Sequence, residues 1–408
     1  MRQQTHEGAS LDTLRRHNRG LVLRQIFKEG PVSRTRIAEF TGLTNAAISR
    51  ITRELIDAGL VLEGDSVAPK GKPGRRFVEL SLAPEGAYVL GFGAGAFEQW
   101  VRLSDARGMV VARTRLRLLD IKSPDDTIDR VASALENLVE VHGIDRRRVM
   151  GVGAAVAGVV DFARGVVVRS PNLGWRDLPL AAGLGSRLKL PVRVESLHHA
   201  FNLTEARLGD TVGLSHVVLV NAALGLGSSI LAGGRLLRGR AAAGQIGHMA
   251  VPDADEVCTC GRRGCLDTVA SGHAVLTRLG LLAQRRTARE HDVGDAALLT
   301  RAMERETEGD AETAEAFNAA GARLGLALTA VRSVVDPECI VLAGPLAQVE
   351  SYVSGVRHAL SAGDEPPADP IALVVSRQSV DAAGAWLALD GYVLGDAINL
   401  DPLQRGSG

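Results

Sequence analysis

Ser33-Arg34-Thr35-Arg36-Ile37-Ala38-Glu39-Phe40-Thr41-Gly42-Leu43-Thr44-Asn45-Ala46-Ala47-Ile48-Ser49-Arg50-Ile51-Thr52-Arg53 reads as two helices joined by a tight turn. Ser33 is placed to cap the first helix, whose apolar positions are Ile37, Ala38 and Phe40. Thr41-Gly42 breaks that pattern before Thr44 caps a second helix running to Ala58. In this second helix Ile48, Ile51 and Leu55 fall on one stripe, which leaves Asn45, Ala46, Ser49, Arg50 and Arg53 on the opposite face.

Upstream, Leu21, Val22 and Ile26 have helical spacing within Arg15 to Lys28, and Gly30-Pro31 ends that helix. Downstream, Gly59 stops the chain's third helix. Leu60-Val61-Leu62 and Phe77-Val78-Glu79-Leu80 then read as short strands flanking the polar loop Lys70-Gly71-Lys72-Pro73-Gly74-Arg75-Arg76. Three helices and a two-stranded wing make a winged helix-turn-helix over residues 1–82, with a turn-forming boundary near Ala83-Pro84-Glu85-Gly86.

Charge supports a polyanionic partner for this part alone. Residues 1–80 carry 14 Lys/Arg against 9 Asp/Glu, while the remainder carries 33 against 38. The expected partner is a double-stranded DNA operator. Asn pairs bidentately with adenine and Arg with guanine in the major groove, so Asn45, Ser49 and Arg50 are the expected base readers, with Thr44 and Ala46 beside them. Arg34, Arg36 and Arg53 are placed for phosphates. Gly71 and Gly74 leave room for the wing loop to press on a duplex, with Lys72, Arg75 and Arg76 supplying charge.

Beyond the boundary the pattern is mixed α/β. Strands are expected near Tyr88–Phe92, Trp100–Ser104 and Val110–Leu116, then a helix Asp125–Val141 and a strand Val149–Val156. A similar order recurs later: strands around Val217–Asn221 and Ser228–Ala232, a long helix Ala311–Val335, and a strand Cys339–Leu342. Two lobes of like construction fit an actin-like ATPase fold. With 46% hydrophobic and 23% charged residues the chain has a globular balance. No apolar run reaches the roughly 20 residues of a membrane helix, and Met1 to Ser10 is polar, so a cytoplasmic location and no membrane partner are expected.

His248 followed by Cys258-Thr259-Cys260-Gly261-Arg262-Arg263-Gly264-Cys265 offers one imidazole and three thiolates, a complete tetrahedral set for a structural Zn²⁺. Gly261 and Gly264 allow the chain to fold back so that Cys265 reaches the ion. Cys339, in an apolar strand, reads as a core residue.

These features together resemble the ROK family of repressors and sugar kinases, and the resemblance runs over nearly the whole chain. The zinc run carries it most specifically, joined by Ser170-Pro171-Asn172-Leu173-Gly174-Trp175, Ala243-Gly244-Gln245-Ile246-Gly247-His248, Gly225-Leu226-Gly227, and Asp336-Pro337-Glu338 through Ala343-Gly344. The resemblance implies a sugar-kinase-like body over 83–408, with one lobe at about 83–200 plus the C-terminal helix and the other at 201–380. It also implies a homodimer or homotetramer on paired operator half-sites. A sugar or sugar derivative is the implied effector, contacted by Asn172, Gln245, His248 and Asp267, with Glu195 beside them.

The kinase motifs of the resemblance are altered. Gly93-Ala94-Gly95-Ala96-Phe97 stands where family kinases read Asp-x-Gly-Gly-Thr, and Glu195-Ser196-Leu197-His198-His199 where they read Glu-Asn-Asp-Ala-Asn. Leu197 thus holds the position of the catalytic Asp, Leu224 replaces a Thr of the second phosphate turn, and Gln245 and Asp267 replace Glu. Leucine cannot accept a proton, so a non-catalytic sensor is expected. Two other readings compete: a carbohydrate kinase with a vestigial winged helix, and a DNA-binding scaffold without an effector.

Overall fold

The Ser33 hydroxyl accepts from the Arg36 amide at 3.3 Å and the Thr44 hydroxyl from the Ala47 amide at 3.2 Å, so both short helices start on a side-chain cap. Gly42, at φ 70°, closes the first of them in a left-handed conformation that glycine adopts without strain. The computed structural model describes residues 11–67, 77–95, 98–117, 123–170, 173–239, 243–282, 293–361 and 371–404.

The N-terminal unit comprises α1 (Leu11–Glu29), β1 (Val32–Ser33), α2 (Arg34–Thr41), α3 (Asn45–Asp57), β2 (Val61–Val67) and β3 (Phe77–Leu82). Its sheet has three strands in the order β1-β3-β2, not two, because Val32 pairs with Leu80 and Ser33 with Glu79. A two-residue strand is too short to show a period. It pins the turn after α1 to the wing.

The first lobe contains β4 (Tyr88–Ala94), β5 (Gln99–Asp105), β6 (Val110–Arg115), α4 (Pro124–Val141), β7 (Val149–Val156), β8 (Val159–Asp161), β9 (Val166–Ser170), β10 (Trp175–Leu178), α5 (Leu180–Leu188), β11 (Val192–Ser196) and α6 (Leu197–Leu208). The second contains β12 (Val217–Ala222), β13 (Leu226–Ala232), β14 (Arg235–Leu236), α7 (Asp267–Ala270), α8 (Gly272–Arg278), α9 (Val293–Thr307), α10 (Ala311–Val335), β15 (Cys339–Ala343), α11 (Glu350–Ser361) and β16 (Ala372–Val375). The chain ends in α12 (Val380–Ala388), a π turn at Leu389–Val393, and α13 (Asp401–Gln404).

Each lobe is built on a five-stranded sheet, ordered β11-β7-β4-β5-β6 and β14-β13-β12-β15-β16. In both, an antiparallel meander (β4-β5-β6, β12-β13-β14) continues into two parallel strands (β7-β11, β15-β16). The two sheets therefore share one topology. Phe317, Leu324 and Leu328 of α10 are fully buried on the second sheet, and Val131 and Leu135 of α4 on the first. Each such side chain contributes about 1.5–3 kcal/mol by leaving water. Cys339 belongs to a core at 1% exposure, and burial pushes its thiol up to about 11.

Two helices lie between the sheets: Leu197, Ala200 and Phe201 of α6 and Ala383 and Leu387 of α12 share a core with Val217, Leu219 and Val341 of the second lobe. α12 sits on the first sheet backbone to backbone, since a Cβ on Gly153 would lie 2.1 Å from the Gly384 carbonyl oxygen. Its far end reaches the N-terminal unit, where Trp386, Leu389 and Leu394 join one core with Val22, Leu23 and Ile26 of α1. His17 and Asp396 add an exposed contact at 3.2 Å.

Candidate nucleic-acid interface, metal cluster and interlobe cleft

Ile48, Ile51, Thr52 and Leu55 of α3 are buried, and this fixes the helix with Asn45, Ala46, Ser49, Arg50 and Arg53 exposed, Thr44 exposed at its start. None of the ion pairs between described residues uses Arg50 or Arg53. Arg36 is exposed, pairs with Glu39 at 3.1 Å and lies 4.3 Å over the Phe40 ring. Arg34, expected to hold a phosphate, is half-buried and bonded within the domain. Its Nε donates to the Thr52 hydroxyl at 3.0 Å and its guanidinium meets Glu63 at 2.5 Å, making it a strut between α2, α3 and the wing. Lys72, Arg75 and Arg76 lie outside the described residues.

The second lobe gathers His248, Cys258, Cys260 and Cys265 with one ligand atom of each within 4.8 Å of the others. Cys258 Sγ is 3.6 Å from His248 Nδ1, and Cys260 Sγ is 3.6 Å from Cys265 Sγ. A tetrahedron with Zn–S near 2.3 Å has edges of about 3.8 Å, so the donor set and its spacing fit zinc. Backbone bonds from Cys258 N to Arg262 O at 2.7 Å and from Gly261 N to Cys258 O at 2.8 Å shape the loop. Gly264, at φ 73°, has the Ala254 carbonyl 2.7 Å from where a Cβ would stand. Burial and the facing thiols push Cys265 up to about 12, a cost that a bound dication removes.

Between the lobes runs a cleft of about 1680 Å³, lined by Leu197 and His198 from α6, by Gln245, His248 and Asp267 from the second lobe, and by Val380 from α12. Asp267 is 4% exposed and its Oδ1 accepts from the Leu226 amide at 2.7 Å, which holds the Leu224-Gly225-Leu226-Gly227 turn against α7. Leu197 is 2% exposed, an apolar wall at the N-terminus of α6, and Leu224 is 5% exposed in the second lobe's core. Asn172 lies outside the described residues.

Glu195 is not among the residues that line this cleft. It is 1% exposed, and its carboxylate accepts from the Ser196 amide at 2.8 Å, meets His199 Nδ1 at 3.0 Å and pairs with Arg238 at 2.5 Å. Burial works to raise its pKa, but His199, Arg238 and the Ser196 amide together hold it below the usual carboxylate range. Arg238, which follows β14 of the second lobe, also stacks at 4.4 Å on Phe162 of the first. Sequence reading missed this interlobe latch, for nothing local in Leu237-Arg238-Gly239 marks it. His198 lines the cleft and packs on Gly227, where a Cβ would lie 1.9 Å from its Cε1. Burial pushes its imidazole down to about 4, so it is neutral near pH 7. Gly227 belongs to the glycine turn already noted, the one sequence signal for that packing.

A profile described as the ROK family matches residues 89–389, and one described as winged helix-turn-helix DNA-binding matches residues 15–61. The chain is 28% identical over 335 residues to a putative xylose repressor of Caldicellulosiruptor sp., covering 80% of this chain and 82% of the relative. It is 27% identical over 346 residues to the DNA-binding transcriptional dual regulator NagC of Escherichia coli K12, covering 84% of each. A crystal structure of a ROK family transcriptional regulator, a homolog of the E. coli MLC protein, superposes with TM-score 0.75 at 26% identity, covering 97% of this chain and 100% of that one. A ROK family glucokinase from Streptomyces griseus, solved with glucose and AMPPNP, superposes with TM-score 0.62 at 25% identity over 75% of this chain and 100% of its own.

Proposed function

The chain belongs to the ROK family, and from that premise we propose that it is a DNA-binding transcriptional repressor of carbohydrate-related genes whose body senses a sugar or sugar derivative without phosphorylating it. The observation that carries the reading is α3: a capped helix whose buried stripe leaves Asn45, Ser49, Arg50 and Arg53 free to meet a duplex. Asn45, Ser49 and Arg50 read base edges, with Thr44 and Ala46 alongside; Arg36 and Arg53, and Lys72, Arg75 and Arg76 of the wing, hold phosphates. The winged domain takes residues 1–82 and the body 83–408, whose lobes cover about 83–200 plus the C-terminal helix and 201–380.

Phosphoryl transfer to a sugar needs a group that takes the hydroxyl proton, and Leu197 has no lone pair to offer. Gln245, His248 and Asp267, with Asn172, contact the effector instead. His248, Cys258, Cys260 and Cys265 would hold Zn²⁺ as a structural site, and the bound ion would tie the loop together and orient His248 toward the cleft. The repressor acts in the cytoplasm as a homodimer or homotetramer on half-sites about one helical turn apart. No described helix is long and apolar enough to cross a membrane.

Genome-wide mapping of the DNA bound by the full chain tests this reading. Discrete sites beside carbohydrate genes are expected, released by a ligand of the cleft. Uniform, sequence-independent occupancy would refute it, as would ATP-dependent phosphorylation of a sugar by the purified protein.

A further inference from the structure

The body and its cleft have opposite charge. Residues 81–408 carry 33 Lys/Arg against 38 Asp/Glu. Among the described residues lining the cleft, the cationic side chains are Arg115, Arg117, Arg169, Arg262, Arg301 and Arg377, and the acidic ones only Glu98, Asp267 and Glu304. The arginines converge from separate segments: the end of β6, β9, the cysteine loop, α9, and the link between β16 and α12. No ion pair between described residues engages Arg117, Arg169, Arg301 or Arg377, and all four are exposed. Like charges gathered in a cleft with low-dielectric walls focus their field on whatever enters it.

The residues that would oppose an anion are reduced as well. Asp267 spends one carboxylate oxygen on the Leu226 amide at 2.7 Å. Leu197 and Gln245 occupy the two positions at which the family resemblance places an Asp and a Glu, so the cleft that Asp267 also lines lacks two negative charges. Gln245 still donates and accepts hydrogen bonds, and His248 stands with it on the same wall. Ring hydroxyls therefore keep partners while an acidic substituent meets no repelling carboxylate at those two places. Arginine matches the oxygens of phosphate and carboxylate with two parallel N–H donors, which makes it suited to that substituent.

We infer that the effector is an anionic carbohydrate, a sugar phosphate ester or a sugar acid, attracted by the arginine-lined cleft and admitted by the exchange of carboxylates for Gln245 and Leu197. This rests on the reading of the cleft as an effector site and names the ligand class that fits it.

Calorimetric titration of the full-length, zinc-loaded protein tests it with matched probes: glucose, glucose 6-phosphate and glucuronate; N-acetylglucosamine and its 6-phosphate; xylose and xylonate; and inorganic phosphate. At least one anionic sugar is expected to bind about tenfold or more tightly than its neutral parent, with an advantage that shrinks as salt rises. The phosphate and carboxylate arms decide which anion is read. Gln245→Glu is expected to weaken that anionic probe by about tenfold, while Gln245→Ala, which adds no charge, keeps the preference for the anion over its parent. The double variant Arg169→Gln and Arg377→Gln is expected to erase the preference, and the melting temperature of each variant shows that it is folded.

Neutral parents binding as tightly as their anions, no binding by any sugar in the panel, or inorganic phosphate matching the sugar phosphate would each overturn the inference. Operator affinity of the ligand-free protein, measured in the same preparation, keeps the two readings apart. Ligand preference without DNA binding would count against the repressor alone, and DNA binding with the preference reversed against the anionic effector alone.

Discussion

The ring centroids of Phe27 and Trp386 lie 5.7 Å apart with an interplanar angle of 47°, joining the first helix of the winged domain to α12 of the body. Trp386 is 4% exposed and belongs to a core that residues of both units fill. Trp386→Ala is expected to cost about 3–5 kcal/mol by leaving a cavity there. Urea unfolding followed by near-UV circular dichroism and by DNA binding checks it. The wild type should lose both signals in one transition; a winged domain that melts separately from the body, unaffected by the substitution, would show that this contact carries no stability.

Capping and phosphate binding separate on α3. Thr44→Ala removes the acceptor of the Ala47 amide and is expected to cost about 1 kcal/mol of stability. Arg53→Ala, on the exposed face, should leave the urea midpoint in place yet reduce the salt dependence of DNA binding by about one phosphate contact. A shifted midpoint for Arg53→Ala would assign that side chain to folding.

How much of this was legible beforehand follows from the range of the forces involved. Ser33, Thr44 and α10, observed at Ala311–Val335, were readable because caps and helical periods are written within a few residues. The contacts of Arg34 and Glu195 were not legible because their partners come from afar: Glu63 lies 29 positions from Arg34, and Arg238 reaches Glu195 from the other lobe. The cleft's charge was invisible for the same reason, since its arginines converge only once two sheets face each other.

Removing the metal should loosen the loop that carries His248. Cys265→Ser, or dialysis against a chelator, is expected to lower the melting temperature and to release about one equivalent of zinc per chain, measured by mass spectrometry of the metal. Equal melting temperatures with and without metal would show that the His248, Cys258, Cys260 and Cys265 cluster holds no structural ion.

His198 gives stability a pH dependence of definite sign. Its folded pKa, pushed down to about 4, lies below the roughly 6.5 of an unfolded histidine, so below pH 6.5 the unfolded chain binds more protons. The contribution of neutral His198 is complete above that pH and fades as pH falls toward 4, by at most about 3 kcal/mol. The difference in urea midpoint between the wild type and His198→Gln should therefore vary between pH 7 and pH 4. A difference constant over that interval would mean that His198 does not titrate as its burial requires.

Fluorescence anisotropy with a labelled operator, comparing the wild type with Asn45→Ala and Arg50→Ala, probes the DNA-reading face with the fewest intermediate assumptions. Each substitution is expected to cost about 1–3 kcal/mol of specific binding and to relax preference at one base position, with weak nonspecific binding retained. Unchanged operator affinity in both variants, with the protein folded, would remove α3 from the interface and the repressor reading with it.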